Sequence, residues 1–574
     1  MTKDTQALNR PQNASWIWDL AMIAGILALC YFFGLGSYPL FTPDEGRYSE
    51  VAREMLATGD FITPRLNGVV FLDKPILYYW LQASAMKLFG LKEAALRFWP
   101  ALFGIWGCLS VYIAGRLLFN RRAGLLSALV LASTVLYYGA AHYANLDLEV
   151  AVLVSTTLLF FLLGLKIEPA EKSRWWIYAA YCFAGLAVLT KGLIGLAFPA
   201  LIIGSWTLLL GQWGNIKKLR PLRGLGILLA IVLPWYILAQ KANPEFFHFF
   251  FIVQQISRFL STNDFNNQVP GWFYFPIVLA GFLPWTIFLF GSLFSHLRRV
   301  WQKRQEQTST LYLLLWVVLI FSFFSIPHSK TIGYILPVFP ALALLVGADL
   351  DLRWQTFFKG GKNLQISLLT FSFALFALVC FWIPRVQSLE IPPQLLPYLK
   401  AAGLNFTVTT GILLYFRLHK SFRGICGAVF VSSFVFFYLL LNSAPIINQN
   451  STKALALNIK NQLTPADEIV TFYKYFQDLP LYLERRITIV ADWEDPGIAH
   501  NDNWLRELWY GKSFQDTQAW LINESAFWQR WNSNKRIYVL TNLKYYANFK
   551  AKAKKRFYLL GQDNETVMMT NLPV

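Results

Sequence analysis

Residues 148–166 read LEVAVLVSTTLLFFLLGLK. An apolar run of this length, closed by a lysine, suffices to cross a hydrocarbon core of about 30 Å as a helix. Runs of the same kind recur on both sides of it. Spans are expected near 15–35, 94–118, 123–141, 148–166, 175–190, 192–211, 224–240, 272–294, 310–326, 332–349, 364–384, 401–416 and 424–443, about thirteen in all. Composition agrees: 56% of the 574 residues are hydrophobic and only 14% charged, where ordinary globular domains carry roughly a quarter. A soluble enzyme is excluded, and the fold class is a polytopic α-helical membrane protein.

Lysine and arginine (51) exceed aspartate and glutamate (32), for a net charge of +19. In a soluble chain this would suggest nucleic acid, but membrane proteins gather basic residues at cytoplasmic span ends. The run Ser15–Leu35 follows a polar leader with Lys3 and Arg10, and no small-residue cleavage site closes it before Tyr38-Pro39. It is expected to be an uncleaved first span with the N-terminus inside. That start assigns Arg116/Arg121/Arg122, Lys217/Lys218/Arg220/Arg223, Arg298/Arg299/Lys303/Arg304 and Arg417/Lys420/Arg423 to inside loops. Beyond the first, the outside loops carry mostly single cations: Lys191, Lys241, Arg258 and Lys330. An odd number of spans puts the C-terminus outside. There, residues 444–574 turn charged, with strand-like runs such as Arg486–Val490 and Arg536–Leu540, and an α/β domain outside the membrane is expected. Residues 1–443 are the expected transmembrane catalytic domain. The five cysteines lie in apolar stretches without a CxxC pair, which points to neither a disulfide framework nor a cysteine zinc site.

The first outside loop, about 37–95, is too long and patterned for a connector. Thr42-Pro43-Asp44-Glu45-Gly46-Arg47-Tyr48 has the signature of a helix start, with Thr42 as N-cap, Pro43 in the first turn and two acids at the positive end of the helix dipole. Tyr48, Val51, Ala52, Met55 and Leu56 then recur at helical spacing, and a second helix is expected over Pro75–Phe89 with Tyr78, Tyr79 and Trp80. Both are expected to lie along the membrane interface. Asp44 and Glu45 could serve only to cap the helix. A second acid, Asp147 in His142-Tyr143-Ala144-Asn145-Leu146-Asp147, falls at the outer end of a span, where an unpaired carboxylate is costly. It is either a second functional carboxylate or the partner of a loop arginine such as Arg47 or Arg53. Lys74, Arg258 and Lys330 bring cations to the same outside face, the complement of a lipid-linked phosphate, although each alone could be a snorkelling cation. The six histidines show no HxxxH or HExxH spacing. A divalent metal held by Asp73 and His248 from distant loops is imaginable, and no cofactor is required.

Phe41-Thr42-Pro43-Asp44-Glu45-Gly46-Arg47-Tyr48, Lys74-Pro75 with Tyr79-Trp80, the Asp147 turn, Gln255-Ile256-Ser257-Arg258-Phe259, Pro284-Trp285 and Ser329-Lys330 with Tyr334-Ile335-Leu336-Pro337 together resemble one family. It is that of the bacterial lipid A 4-amino-4-deoxy-L-arabinose transferases, which stand with the protein O-mannosyltransferases in the GT-C class of membrane glycosyltransferases. The resemblance implies a sugar donor linked to undecaprenyl phosphate, transfer with inversion on the periplasmic side of the bacterial inner membrane, and a lipid A phosphate as acceptor. It makes Asp44 the principal catalytic residue, with Glu45 beside it and Asp147 as a second acid. Lys74 and Arg258 would hold the donor phosphate, and Lys330 and Tyr334 would lie on a loop closing over it. The chain departs from the family pattern at Asp73 and Ile76, where Glu and Pro are usual. It departs again at Gln254-Gln255, where Glu-His is usual, and at Ile332-Gly333, where a Pro-aromatic pair is usual. Two other readings stay open: a protein O-mannosyltransferase-like enzyme acting on Ser/Thr, and a lipid transporter or flippase. The latter expects ionisable residues near mid-membrane, whereas here they cluster in loops at one face.

Overall fold

The computed structural model describes residues 15–257, 269–354, 364–386, 388–500, 504–554 and 556–573. The chain forms two compact units.

The first unit comprises Met1–Leu35, Arg97–Pro234 and Asn267–Ile446. Each of the expected span positions carries a helix or a bent helix pair. Among the described residues, seven helices are long and apolar enough to cross a membrane, or nine if each bent pair counts as one span. Two expected single spans are broken. Residues 123–141 divide into Arg121–Ala132 and Val135–Ala141, bent by 68°. Residues 272–294 divide into Gly271–Gly281 and Thr286–Lys303, bent by 114° around Leu283-Pro284-Trp285. The first break falls at Ser133-Thr134, where the Ser133 hydroxyl accepts from Trp285 Nε1 at 2.8 Å. Asparagines set two helix starts: Asn120 accepts from Ala123 N and Asn145 from Asp147 N, each at 3.0 Å. The helix Leu146–Lys166 is buried along its apolar length.

The second unit gathers Gly36–Leu96, Trp235–Asn266 and Ile447–Val574. Its core is a sheet of six strands: β3 (Glu468–Phe472), β4 (Thr488–Val490), β5 (Leu521–Ile522), β6 (Ile537–Asn542), β7 (Tyr558–Asp563) and β8 (Thr566–Thr570), in the order β5-β4-β3-β6-β8-β7. β3 to β6 are parallel, while β8 runs antiparallel to both β6 and β7. Phe527, Trp531 and Phe549 from the covering helices pack on Val470, Phe472 and Val539. The expected strand-like runs correspond to β4 and β6.

The first loop is built onto this sheet. Arg65–Leu66 (β1) and Val69–Val70 (β2) form a hairpin whose turn, Asn67-Gly68, has positive φ at both positions, as a two-residue type I′ turn requires. The Asn67 side chain accepts from Ile487 N at 2.9 Å and donates to Ile487 O at 3.0 Å. The helix Asp44–Thr58 meets residues 477–478 at Gly46: a Cβ there would stand 2.7 Å from Asp478 N and 2.9 Å from Gln477 C, so only glycine permits the approach. Asp478 in turn accepts from Thr452 N, Thr452 Oγ1 and Ser451 Oγ at 2.7–3.0 Å. Each loop helix buries one face in this unit. Tyr78 and Tyr79 are wholly buried, with Tyr48 at ring distances of 5.6 and 6.2 Å.

Candidate functional site

In the second unit the helix Asp44–Thr58 starts without a side-chain cap from Thr42, whose hydroxyl instead donates to Asn450 O at 3.1 Å. The capping falls to Glu45, which is fully buried and accepts from Phe41 N at 2.8 Å. That bond assigns Glu45 to holding the helix start and leaves Asp44, a third exposed, as the acid that solvent reaches. Asp44 is ion-paired with Arg47, whose other terminal nitrogen donates to Glu507 at 2.6 Å. Burial opposes the charge on Arg47, yet Tyr48, Asp44, Glu507 and Asp73 together hold it more firmly protonated than a free arginine. Arg47 Nε and the Tyr79 hydroxyl are buried with no hydrogen-bond partner among the described residues. Buried polar atoms of this kind are rare in a finished core and common where a ligand supplies the missing partner.

Lys74 donates to Asp73 O at 3.2 Å. Asp73 Oδ1 accepts from Gln254 Nε2 at 3.1 Å, so two of the positions that depart from the family pattern are bonded to each other. Gln254 is carried by His248–Ser257, which is wound as a π-helix. Among the described residues no group of three or more His, Cys, Asp or Glu stands close enough to hold a metal; Asp73 is engaged by an amide, and His248 joins no such group. Arg258 lies outside the described residues.

Further along the Asp44 helix, Arg53 grips Glu50 with two bonds of 2.6 and 2.7 Å and lies 3.9 Å from Glu54. Glu54 accepts from Gly68 N at 2.7 Å. Burial, reinforced by the Glu50 charge, pushes the Glu54 carboxyl up to about 8. A carboxyl raised in the folded state adds stability that is full below its unfolded value, about 4.3, and that is lost as pH rises through the folded value. Thermal unfolding is therefore expected to occur at a lower temperature at pH 9 than at pH 6, with Glu54→Gln flattening the difference. Equal slopes in both proteins would show that the carboxyl is not the cause.

The first unit carries the second acid. Asp147 is ion-paired with Lys191, whose Nζ also stands 4.0 Å from the centroid of the Tyr334 ring. Among the described residues Asp147 pairs with Lys191, while Arg47 is engaged with Asp44 and Glu507 and Arg53 with Glu50. The 3₁₀ segment Ile332–Val338 crosses directly over this pair, since a Cβ on Gly333 would fall 2.2 Å from Asp147 Oδ2. Lys330 is 4% exposed and donates to Val269 O at 3.2 Å. Lys191 is legible in the sequence only as a lone outside cation, Gly333 only as a departure from the family pattern, and Glu507 not at all. The two carboxylates therefore stand in different units. Asp44, Glu45, Asp73, Lys74 and His248 belong to the second, Asp147, Lys330 and Tyr334 to the first.

Comparison with known proteins converges on one group. Residues 73–238 match the family described as dolichyl-phosphate-mannose-protein mannosyltransferase, and residues 455–571 match the aminoarabinose transferase C-terminal domain. The undecaprenyl phosphate-alpha-4-amino-4-deoxy-L-arabinose arabinosyl transferase of Aeromonas salmonicida (strain A449) is 35% identical over 365 residues, covering 63% of this chain and 64% of the relative. A second enzyme of that description, from Pseudomonas fluorescens (strain Pf0-1), is 32% identical over 64% of this chain and 66% of its own. The matched stretch thus spans a little under two thirds of these relatives. Among solved structures, ArnT from Cupriavidus metallidurans bound to undecaprenyl phosphate superposes with a TM-score of 0.82 at 27% identity, covering 98% of this chain and 99% of that one. An Archaeoglobus fulgidus oligosaccharyltransferase, 13% identical with a TM-score of 0.50, shares the fold.

Proposed function

We propose, from the premise that the chain belongs to the ArnT family of GT-C membrane glycosyltransferases, that it transfers 4-amino-4-deoxy-L-arabinose or a related amino sugar from undecaprenyl phosphate to a lipid A phosphate. The observation that carries this reading is the Asp44 carboxylate. It is partly exposed, fixed by a largely buried arginine that is itself anchored by Glu507, and placed on the loop that also bears Lys74.

The chemistry follows from charge. When the bond between the sugar carbon and the phosphate oxygen breaks, its electron pair leaves with the phosphate, which gains negative charge. Lys74, and Arg258 by its place in the motif, supply the compensating cations in a site shielded from bulk water. Positive charge grows on the sugar ring and is stabilised by a carboxylate. The acceptor phosphate is already anionic and attacks the opposite face of the sugar carbon, so the configuration inverts and no base is required. Asp44 is then free to hold the donor's ammonium group. Asp147, with Lys191 beside it, is assigned to the same reaction, and Lys330 and Tyr334 to the segment that encloses the donor. Residues 1–443 are read as the membrane-embedded catalytic part and 444–574 as a periplasmic domain, with the N-terminus in the cytoplasm of a bacterium and the spans in its inner membrane. Cells making such a product would carry fewer net negative charges on their lipid A, the basis expected for resistance to polymyxin.

The match of residues 73–238 to the mannosyltransferase family favours one alternative, a hexose passed to a protein hydroxyl. That acceptor must lose a proton, which would make Asp44 a general base. Mass spectrometry of lipid A from cells with and without the gene tests the choice. An aminopentose on a lipid A phosphate is expected only when the gene is present. Unchanged lipid A together with a newly glycosylated membrane protein would overturn the assignment in favour of the hydroxyl acceptor.

A further inference from the structure

At the end of the first unit remote from Asp147 lies a cavity of about 670 Å³, within the usual size range of small-molecule sites. Its remoteness follows from the helix Leu146–Lys166, which begins beside Asp147 and ends at Lys166, bonded to the Thr308 hydroxyl. At about 1.5 Å per residue that helix is roughly 30 Å long. Asn120, on the cavity wall, shares an adjoining hollow with Gln307 and Ser309, the residues flanking Thr308.

We propose that this cavity, lined by Asn120, Arg121, Arg122, Leu125, Trp354 and Arg423, binds an anionic phospholipid, with the phosphodiester among the arginines and an acyl chain along Leu125 and Leu129. Three observations carry the assignment, and none depends on the transfer reaction. First, positive charge is in surplus. Arg121 is paired with Asp19 at 2.6 Å, a carboxylate it shares with Arg116, and Arg122 lies 3.5 Å from Asp351. Arg423, exposed at the rim, has no ion pair among the described residues. Second, the wall below the arginines is apolar and partly open: Arg121, Leu125 and Leu129 recur four residues apart and so share one helix face. A soluble anion has no use for such a strip, whereas a lipid tail does. Third, Trp354 lies against the cationic head, with Arg122 Cζ 5.1 Å from its ring. An aromatic ring beside basic residues is the usual marker of headgroup depth, and basic pockets between membrane helices are known receivers of anionic headgroups.

The test uses the full-length protein in neutral detergent, stripped of bound lipid. Thermal unfolding is followed while phosphatidylglycerol, phosphatidylcholine or inorganic phosphate is titrated. Phosphatidylglycerol is expected to raise the melting temperature saturably, and the other two are not. Arg423→Gln leaves the Asp19 and Asp351 pairs intact, so the fold is retained, and it should weaken phosphatidylglycerol binding about fivefold, as expected for loss of one cation at a membrane surface; Arg423→Lys should restore most of it. Equal affinity in wild type and Arg423→Gln, or an equal shift from phosphatidylcholine, would overturn the proposal. A full shift from inorganic phosphate alone would overturn the lipid in favour of a soluble anion.

Discussion

Asp44→Asn is expected to lower sugar transfer by about two to four orders of magnitude while leaving the melting temperature nearly unchanged. The asparagine oxygen can still accept from Arg47, and Arg47 keeps its bond to Glu507. The helix start stays capped, because Glu45 and not Asp44 accepts from Phe41 N. What disappears is one negative charge at a partly exposed position, the charge that a growing cationic ring or a donor ammonium would meet. Turnover by purified protein in lipid nanodiscs, with unfolding measured in parallel, separates the effects. A folded Asn variant with wild-type turnover would remove Asp44 from the chemistry. If Asp44 binds the donor's amine, the variant should lose more in KM than in kcat; a base acting on a hydroxyl predicts the reverse split.

The second large effect is expected at Asp147. Asp147→Asn should reduce turnover by about a hundredfold or more, at the lower end of what removal of a functional carboxylate produces. It leaves Lys191 without its counter-charge. Gly333→Ala should reproduce much of that loss without touching either charge. Its new methyl group would fall 2.2 Å from Asp147 Oδ2 and 2.8 Å from Asp147 Cβ, so either the carboxylate or the 332–338 segment must move. A structural ion pair behaves differently: Asp147→Asn would lower the melting temperature and spare turnover. That outcome would return Asp147 and Lys191 to the scaffold.

The helical segments were readable because long apolar runs have few alternative fates, and Asp44 because Thr-Pro-Asp-Glu-Gly-Arg-Tyr concentrates polar residues between such runs. The breaks at Ser133-Thr134 and Leu283-Pro284 were hidden, since the sequence stays apolar across them and hydropathy carries no direction. Lys191 was hidden for another reason. A single cation at a span end is what a snorkelling anchor also looks like, and only the position of Asp147, 44 residues earlier in the chain, distinguishes the two. Capping was assigned to the wrong side chain because Thr42 has the right chemistry, but its hydroxyl is drawn to Asn450 O, 408 positions away.

The bond between Arg47 and Glu507 joins positions 460 residues apart in the chain, and the seat for Gly46 at residues 477–478 is nearly as distant. At a synthesis rate of about 5–20 residues per second, the loop bearing Asp44 leaves the ribosome roughly 20–90 s before its anchor exists. For that interval the helix start has no Gln477–Asp478 backbone to pack against, and Arg47 has no Glu507 to hold it. A nascent or truncated chain ending before residue 447 can therefore insert its spans and still lack an aligned carboxylate. Sugar transfer is therefore expected only from chains that extend past Glu507, and a chain truncated before residue 447 is expected to give none.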